Sequence, residues 1–212
     1  MNMSQQLKRA LFIPSILTFL IVLAFVFEKG MGWDLYFLGI FPGNPKTLGG
    51  VVGMLFVHEG WSHLLNNIVS LFLLSLCLFY FYPSIAPKVM LWSVIIGGML
   101  LWIIGRDNWH VGASGLVYSL AFFLFFSGII RKHVPLMAIS MVVIFVYGSM
   151  IWFMFPWQQT VSISWEGHLS GGITGFALSL IYRKFGPQKP ELIDDDTEIE
   201  LNENADENWY NN

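Results

Sequence analysis

Two polar side chains that open long apolar runs suggest one kind of chemistry. Ser114 lies in Gly112-Ala113-Ser114-Gly115-Leu116-Val117-Tyr118, and His168 lies in Gly167-His168-Leu169-Ser170-Gly171-Gly172. A serine hydroxyl is a weak nucleophile until a base takes its proton, and a neutral imidazole is the usual base near neutral pH. Ser114 and His168 supply that pair. A third segment, His58-Glu59-Gly60-Trp61-Ser62-His63-Leu64-Leu65-Asn66-Asn67, opens another apolar run. His63 and Asn67 are spaced i, i+4, so they share one helix face, and both side chains can donate hydrogen bonds to a developing oxyanion. The Ser114 amide, at a helix start, is a further donor. His58-Glu59 followed by His63 has the wrong spacing for a zinc helix: i and i+5 lie roughly 140° apart, whereas i and i+4 face one ion.

The elements that hold these residues are apolar runs bounded by charges, Pro or Gly. They predict helices near residues 10 to 27, 62 to 82, 86 to 105, 112 to 130, 135 to 156 and 167 to 182. Counted at about 1.5 Å per residue, Ser114 sits roughly 25 Å above Arg131 and His168 roughly 22 Å above Arg183. Against a hydrocarbon layer of about 30 Å, both lie at one depth below the outer surface. No Asp or Glu lies near that depth, so the expectation is a Ser-His dyad without a carboxylate.

Composition fits a bilayer. The 212 residues are 55% hydrophobic and only 12% charged, against about 25% charged in an average soluble domain. With the N-terminus inside, eight basic residues (Lys8, Arg9, Lys88, Arg131, Lys132, Arg183, Lys184, Lys189) fall on the cytoplasmic side and three (Lys29, Lys46, Arg106) outside, which favours an N-in, C-in arrangement. Nine of the fourteen acidic residues follow Pro187, so a basic membrane part precedes an acidic end. The lone Cys77 excludes an internal disulfide and a Cys-cluster metal site.

The expected organisation is a short cytoplasmic N-terminus at 1–9, a six-span domain at 10–186 with a long outer loop at about 28–61, and an acidic, disordered cytoplasmic tail at 187–212. In that loop, Trp33, Tyr36, Phe37, Leu38, Ile40 and Phe41 suggest an interfacial segment.

The pattern His58-x4-His63-x3-Asn67, then Gly112-x-Ser114-Gly115, then Gly167-His168-x2-Gly171, each at an outer helix start, resembles the rhomboid intramembrane proteases over about residues 10 to 185. The resemblance implies an all-α, six-transmembrane-helix rhomboid-like bundle. It implies Ser114 as nucleophile, His168 as base and then acid, and His63, Asn67 and the Ser114 amide as oxyanion donors. Tyr118 matches the aromatic residue that packs on the catalytic histidine, and His58 matches a bracing residue. Gly112 belongs to the serine motif. Gly171 and Gly175 match a small-x3-small contact that draws the last helix to the serine helix. The chain has Gly49-Gly50 where the family often has Trp-Arg, so a first loop of different shape and a different substrate entry surface are expected.

The implied activity is cleavage of transmembrane or juxtamembrane segments near the outer face, in a multi-pass cell (inner) membrane protein with both termini cytoplasmic. Its partners would be transmembrane protein substrates and lipid, with no nucleic acid, no metal and no organic cofactor. The competing expectation is a rhomboid-like pseudoprotease that binds clients without cutting them. A transporter would want charged or broken helices near the midplane. Among the remaining polar residues, His110 reads as an exposed loop histidine or a residue lining the outer mouth. His133 belongs to the basic turn, Glu59 and Glu166 to a solvated rim, and Gln158 to Ser162 to a candidate lid.

Overall fold

A computed structural model describes residues 3–156 and 164–190. The described residues are helical apart from loops and one antiparallel β-bridge between Ile40 and His110. The described residues include six long helices, α1 (Met3–Met31), α3 (Trp61–Phe81), α4 (Ala86–Ile104), α5 (Ser114–Arg131), α6 (Val134–Tyr147) and α7 (Trp165–Ile181), with a one-turn α2 (Gly50–Gly53) in the first loop. Among the described residues, five segments are long and apolar enough to cross a membrane: α1, α3, α4, α5 and Val134–Met154, where a 3-10 turn (Gly148–Met154) continues α6. Helix α7, which carries the shortest of the apolar runs read from the sequence, has 17 residues, and α6 proper has 14 before its 3-10 continuation.

Two boundaries differ from the expected ones for identifiable reasons. Helix α1 runs past both ends of its apolar run, because the polar residues flanking that run include no Pro and only one Gly, Gly30, to stop it. The fifth expected helix changes from α to 3-10 winding at Gly148, a residue of low helix propensity.

Helix α5 is the centre of the bundle and packs against α3, α4, α6 and α7. Its most apolar stretch is 61% buried, against 17 to 33% for the other four candidate spans, so its flanking helices, rather than lipid, cover most of its surface. Leu120, Phe123 and Leu124 on α5 join Leu71, Leu74 and Leu78 of α3 in the main core. Small polar residues tie the helices where packing alone gives little orientation. Ser119 Oγ donates to Ser93 Oγ of α4 at 2.8 Å, and Ser140 Oγ of α6 donates to the Phe125 carbonyl at 2.8 Å.

Helices α5 and α7 approach most closely. A Cβ on Gly171 would press into the Gly115 carbonyl, and one on Gly175 into the Ser119 carbonyl, so two backbones meet where side chains would hold them apart. At the opposite end, buried Arg131 of α5 donates to the carbonyls of Tyr182 (2.6 Å) and Phe185, just past the end of α7, and to Ser127 Oγ. Its guanidinium also lies over the Tyr82 ring, 5.1 Å from the centroid. A residue read as part of a cytoplasmic basic cluster is therefore buried and helps hold α7 against α5.

The first loop is not a simple interfacial ribbon. Trp33 and Phe37 are exposed, but Ile40 is fully buried and packs with Val51, Met54 and Leu101. Gly50 stands against the Gly39 backbone with no room for a Cβ, a backbone-to-backbone contact that folds the loop on itself, whereas a Cβ on Gly49 would meet no described atom within 4 Å.

Candidate active site

Helix α5 begins at Ser114 because Gly112, two residues before, has a φ of +106° that a side-chain-bearing residue rarely adopts. The Gly112 amide donates to the Met54 carbonyl at 2.8 Å, which anchors this turn to the first loop. Ser114 is then in the first helical turn, where an amide has no partner within its own helix.

Helix α7 presents His168 from its first turn. Ser164 caps this helix by accepting from the Gly167 amide at 3.2 Å, and the His168 amide donates to the Ser164 carbonyl at 3.2 Å. His168 Nε2 lies 3.0 Å from Ser114 Oγ, and His168 Nδ1 lies 2.9 Å from the Phe153 carbonyl oxygen. A carbonyl can only accept, so Nδ1 carries the proton and Nε2 is the bare acceptor facing the serine hydroxyl. The Tyr118 ring, one turn along α5 from Ser114, stacks on the imidazole and donates its hydroxyl to the Met150 carbonyl at 2.8 Å.

His63 and Asn67 come to the same place from α3. A Cβ on Gly112 would lie 2.7 Å from His63 Nε2 and 3.6 Å from Asn67 Nδ2, so this glycine leaves room for both side chains beside the serine turn. Asn67 Nδ2 is buried without a hydrogen-bond partner among the described residues, an arrangement that a ligand oxygen would complete. These side chains line a cavity of about 760 Å³ that also meets Met150, Phe153 and Tyr147. His58 lies behind it, fully buried, with its ring edge-on to His63 at 5.0 Å between centroids. Burial, reinforced by the neighbouring His63, pushes the His58 imidazole down to about 4.

The Rhomboid domain family model matches residues 45–185. The chain belongs to the rhomboid family. Similar proteins include an uncharacterized protein of Mycobacterium tuberculosis and one of Mycobacterium bovis, each 34% identical over 173 residues, covering 76% of this chain and 71% of theirs. A rhomboid-related protein of Caenorhabditis elegans is 32% identical over 148 residues, covering 65% of this chain and 41% of its own length. The rhomboid domain thus contains all three polar helix starts.

Two of the expected surroundings differ. His110 is 2% exposed and hydrogen-bonded, not an exposed loop histidine, and it does line the cavity. Glu166 is 2% exposed, with Arg106 3.5 Å away, not a solvated rim residue. Both are covered because loop 105–113 folds onto the start of α7. Glu59 is exposed and accepts from the Tyr36 hydroxyl at 3.2 Å. Burial first, then Glu59, pushes that phenol up to about 12. The candidate lid, Gln158 to Ser162, lies outside the described residues, as does the acidic end from residue 191. Sequence reasoning missed the Phe153 and Met150 carbonyls and Ser164. Only Ser164 had a signal, as a serine three residues before Gly167 at a helix start.

Proposed function

We propose that this protein is an intramembrane serine endopeptidase that cleaves transmembrane or juxtamembrane segments of membrane proteins near the outer face. The observation that carries the reading is the 3.0 Å approach of Ser114 Oγ to His168 Nε2, with Nδ1 engaged by a carbonyl. Ser114 Oγ attacks the scissile carbonyl carbon as its proton passes to Nε2. His63, Asn67 and the Ser114 amide stabilise the oxyanion. The C–N bond then breaks, and His168 returns the proton to the leaving amine. Water, deprotonated by His168, attacks the acyl-enzyme ester and releases Ser114. No metal or organic cofactor takes part in these steps.

The substrate must present an extended stretch, since a helix hides its carbonyls in internal hydrogen bonds. Clients with Gly, Pro or polar residues in the outer half of a span are therefore favoured. In this reading α7 is a sixth span, both termini are cytoplasmic and the protein resides in the cell (inner) membrane. The excess of basic residues assigned to the inner side supports that orientation.

The test is cleavage of a single-span substrate by the full chain in liposomes. Wild type cuts, and Ser114→Ala and His168→Ala lose at least about 1000-fold. Unchanged cutting by either variant overturns the dyad. Binding of clients without cleavage by any form favours the pseudoprotease alternative.

A further inference from the structure

Loop 105–113 leads directly into Ser114, and it also touches the first turn of the helix that carries His168. His110, four residues before Ser114, places Nδ1 2.6 Å from the Oγ of Ser164, which is four residues before His168. His110 Nε2 lies 3.1 Å from the Arg106 carbonyl. That carbonyl only accepts, so Nε2 carries the proton and Nδ1 is the acceptor. The Ser164 hydroxyl therefore donates to Nδ1 while its oxygen accepts from the Gly167 amide at 3.2 Å. The same serine's carbonyl accepts from the His168 amide.

The imidazole itself has little freedom. His110 is 2% exposed, and its amide and carbonyl form the two-way bridge to Ile40, at 2.8 and 3.0 Å. A Cβ on Gly105 would stand 3.2 Å from Nε2, so the glycine leaves just enough room for the ring. Arg106 and Glu166, 3.5 Å apart, make a second tie between this loop and the first turn of α7.

We propose that His110 is a positioning residue: through Ser164 it holds the first turn of α7 in the register that brings His168 Nε2 to Ser114 Oγ. One loop then sets the place of both partners, the nucleophile through the chain and the base through a side-chain latch. This inference rests on the reading of Ser114 and His168 as nucleophile and base.

The experiment measures kcat and KM for a single-span substrate with the full chain in liposomes, well below the melting temperature of each variant. His110→Phe, Ser164→Ala, their double variant and Ser164→Thr are compared with wild type and Ser114→Ala. Each single change lowers kcat about 10- to 100-fold with KM nearly unchanged, because a small misplacement of a reacting group is costly. The double variant is no slower than the slower single one, since both break one latch. Ser164→Thr, which keeps the hydroxyl, stays within about threefold of wild type.

Single variants as fast as wild type, losses that multiply in the double variant, or a change in KM alone would overturn the latch. If His110→Phe does not fold, the contrast of Ser164→Ala with Ser164→Thr decides: equal rates overturn the proposal. Wild-type cleavage that Ser114→Ala abolishes and the latch variants leave untouched overturns the latch alone. A wild type that never cleaves overturns the nucleophile and base reading and this inference with it.

Discussion

The Tyr118 ring lies flat on the His168 imidazole, with centroids 4.3 Å apart and planes 10° from parallel, while its hydroxyl is tied to the Met150 carbonyl. The imidazole is thus fixed by a ring on one face and a carbonyl at Nδ1. Tyr118→Phe keeps the ring and loses one neutral hydrogen bond, so kcat falls by no more than about fivefold. Tyr118→Ala frees the imidazole and lowers kcat about 10- to 100-fold with KM little changed. Steady-state kinetics in liposomes check both, and equal effects of the two changes count against the stack.

His63 and Asn67 bring side-chain nitrogens beside the serine turn, and the buried Asn67 amide has no hydrogen-bond partner among the described residues. Interactions made only with the transition state lower kcat when lost and leave KM alone. Each of His63→Ala and Asn67→Ala is expected to reduce kcat about 10- to 1000-fold. A rise in KM at constant kcat would assign them to substrate binding instead.

The contact of α5 with α7 depends on missing side chains. Gly171→Ala and Gly175→Ala drive a methyl into the Gly115 and Ser119 carbonyls. Each is expected to cost about 1–3 kcal/mol, as overpacking does, and to lower cleavage by moving His168 away from Ser114. Gly30→Ala, inside α1 where a Cβ would meet no described atom within 4 Å, is the control that leaves cleavage unchanged and stability equal or slightly higher. Melting temperature and cleavage rate measured together test this, and a silent Gly171→Ala would refute it.

Acid should destabilise the fold through His58. An unfolded histidine takes up its proton near pH 6.5, whereas burial, then His63, holds the folded one down to about 4. Between those values the unfolded chain binds more protons, so stability is full above about 6.5, falls as pH drops toward about 4, and levels off below. The loss reaches about 3 kcal/mol. His110, also pushed down by burial, acts in the same direction. His58→Gln therefore flattens, but does not abolish, the fall in melting temperature between pH 7.5 and 4.5. An unchanged slope in that variant would exclude His58 as the source.

The helical, membrane-embedded character of the chain and the axial position of its polar residues follow from the sequence by itself. Apolar run length matches the bilayer, and a helix rises by a constant amount per residue, so counting puts Ser114 and His168 at one depth without any knowledge of their neighbours. Beyond the pairing of the last helix with the serine helix, which the Gly171 and Gly175 motif implied, the tertiary structure decided which helices stand side by side and how each is rotated. In lipid no general hydrophobic force orders the spans, and the order comes from local fits such as Gly171 on Gly115 and Ser119 on Ser93.

The carbonyl partners of His168, Tyr118 and His110 were illegible for a simpler reason. His168 binds the carbonyl of Phe153, Tyr118 that of Met150, and His110 that of Arg106. Every residue type carries a carbonyl, so these positions leave no mark in the sequence. The burial of His110 likewise depends on its backbone bridge to Ile40, a pairing 70 positions away in the chain that only folding brings about.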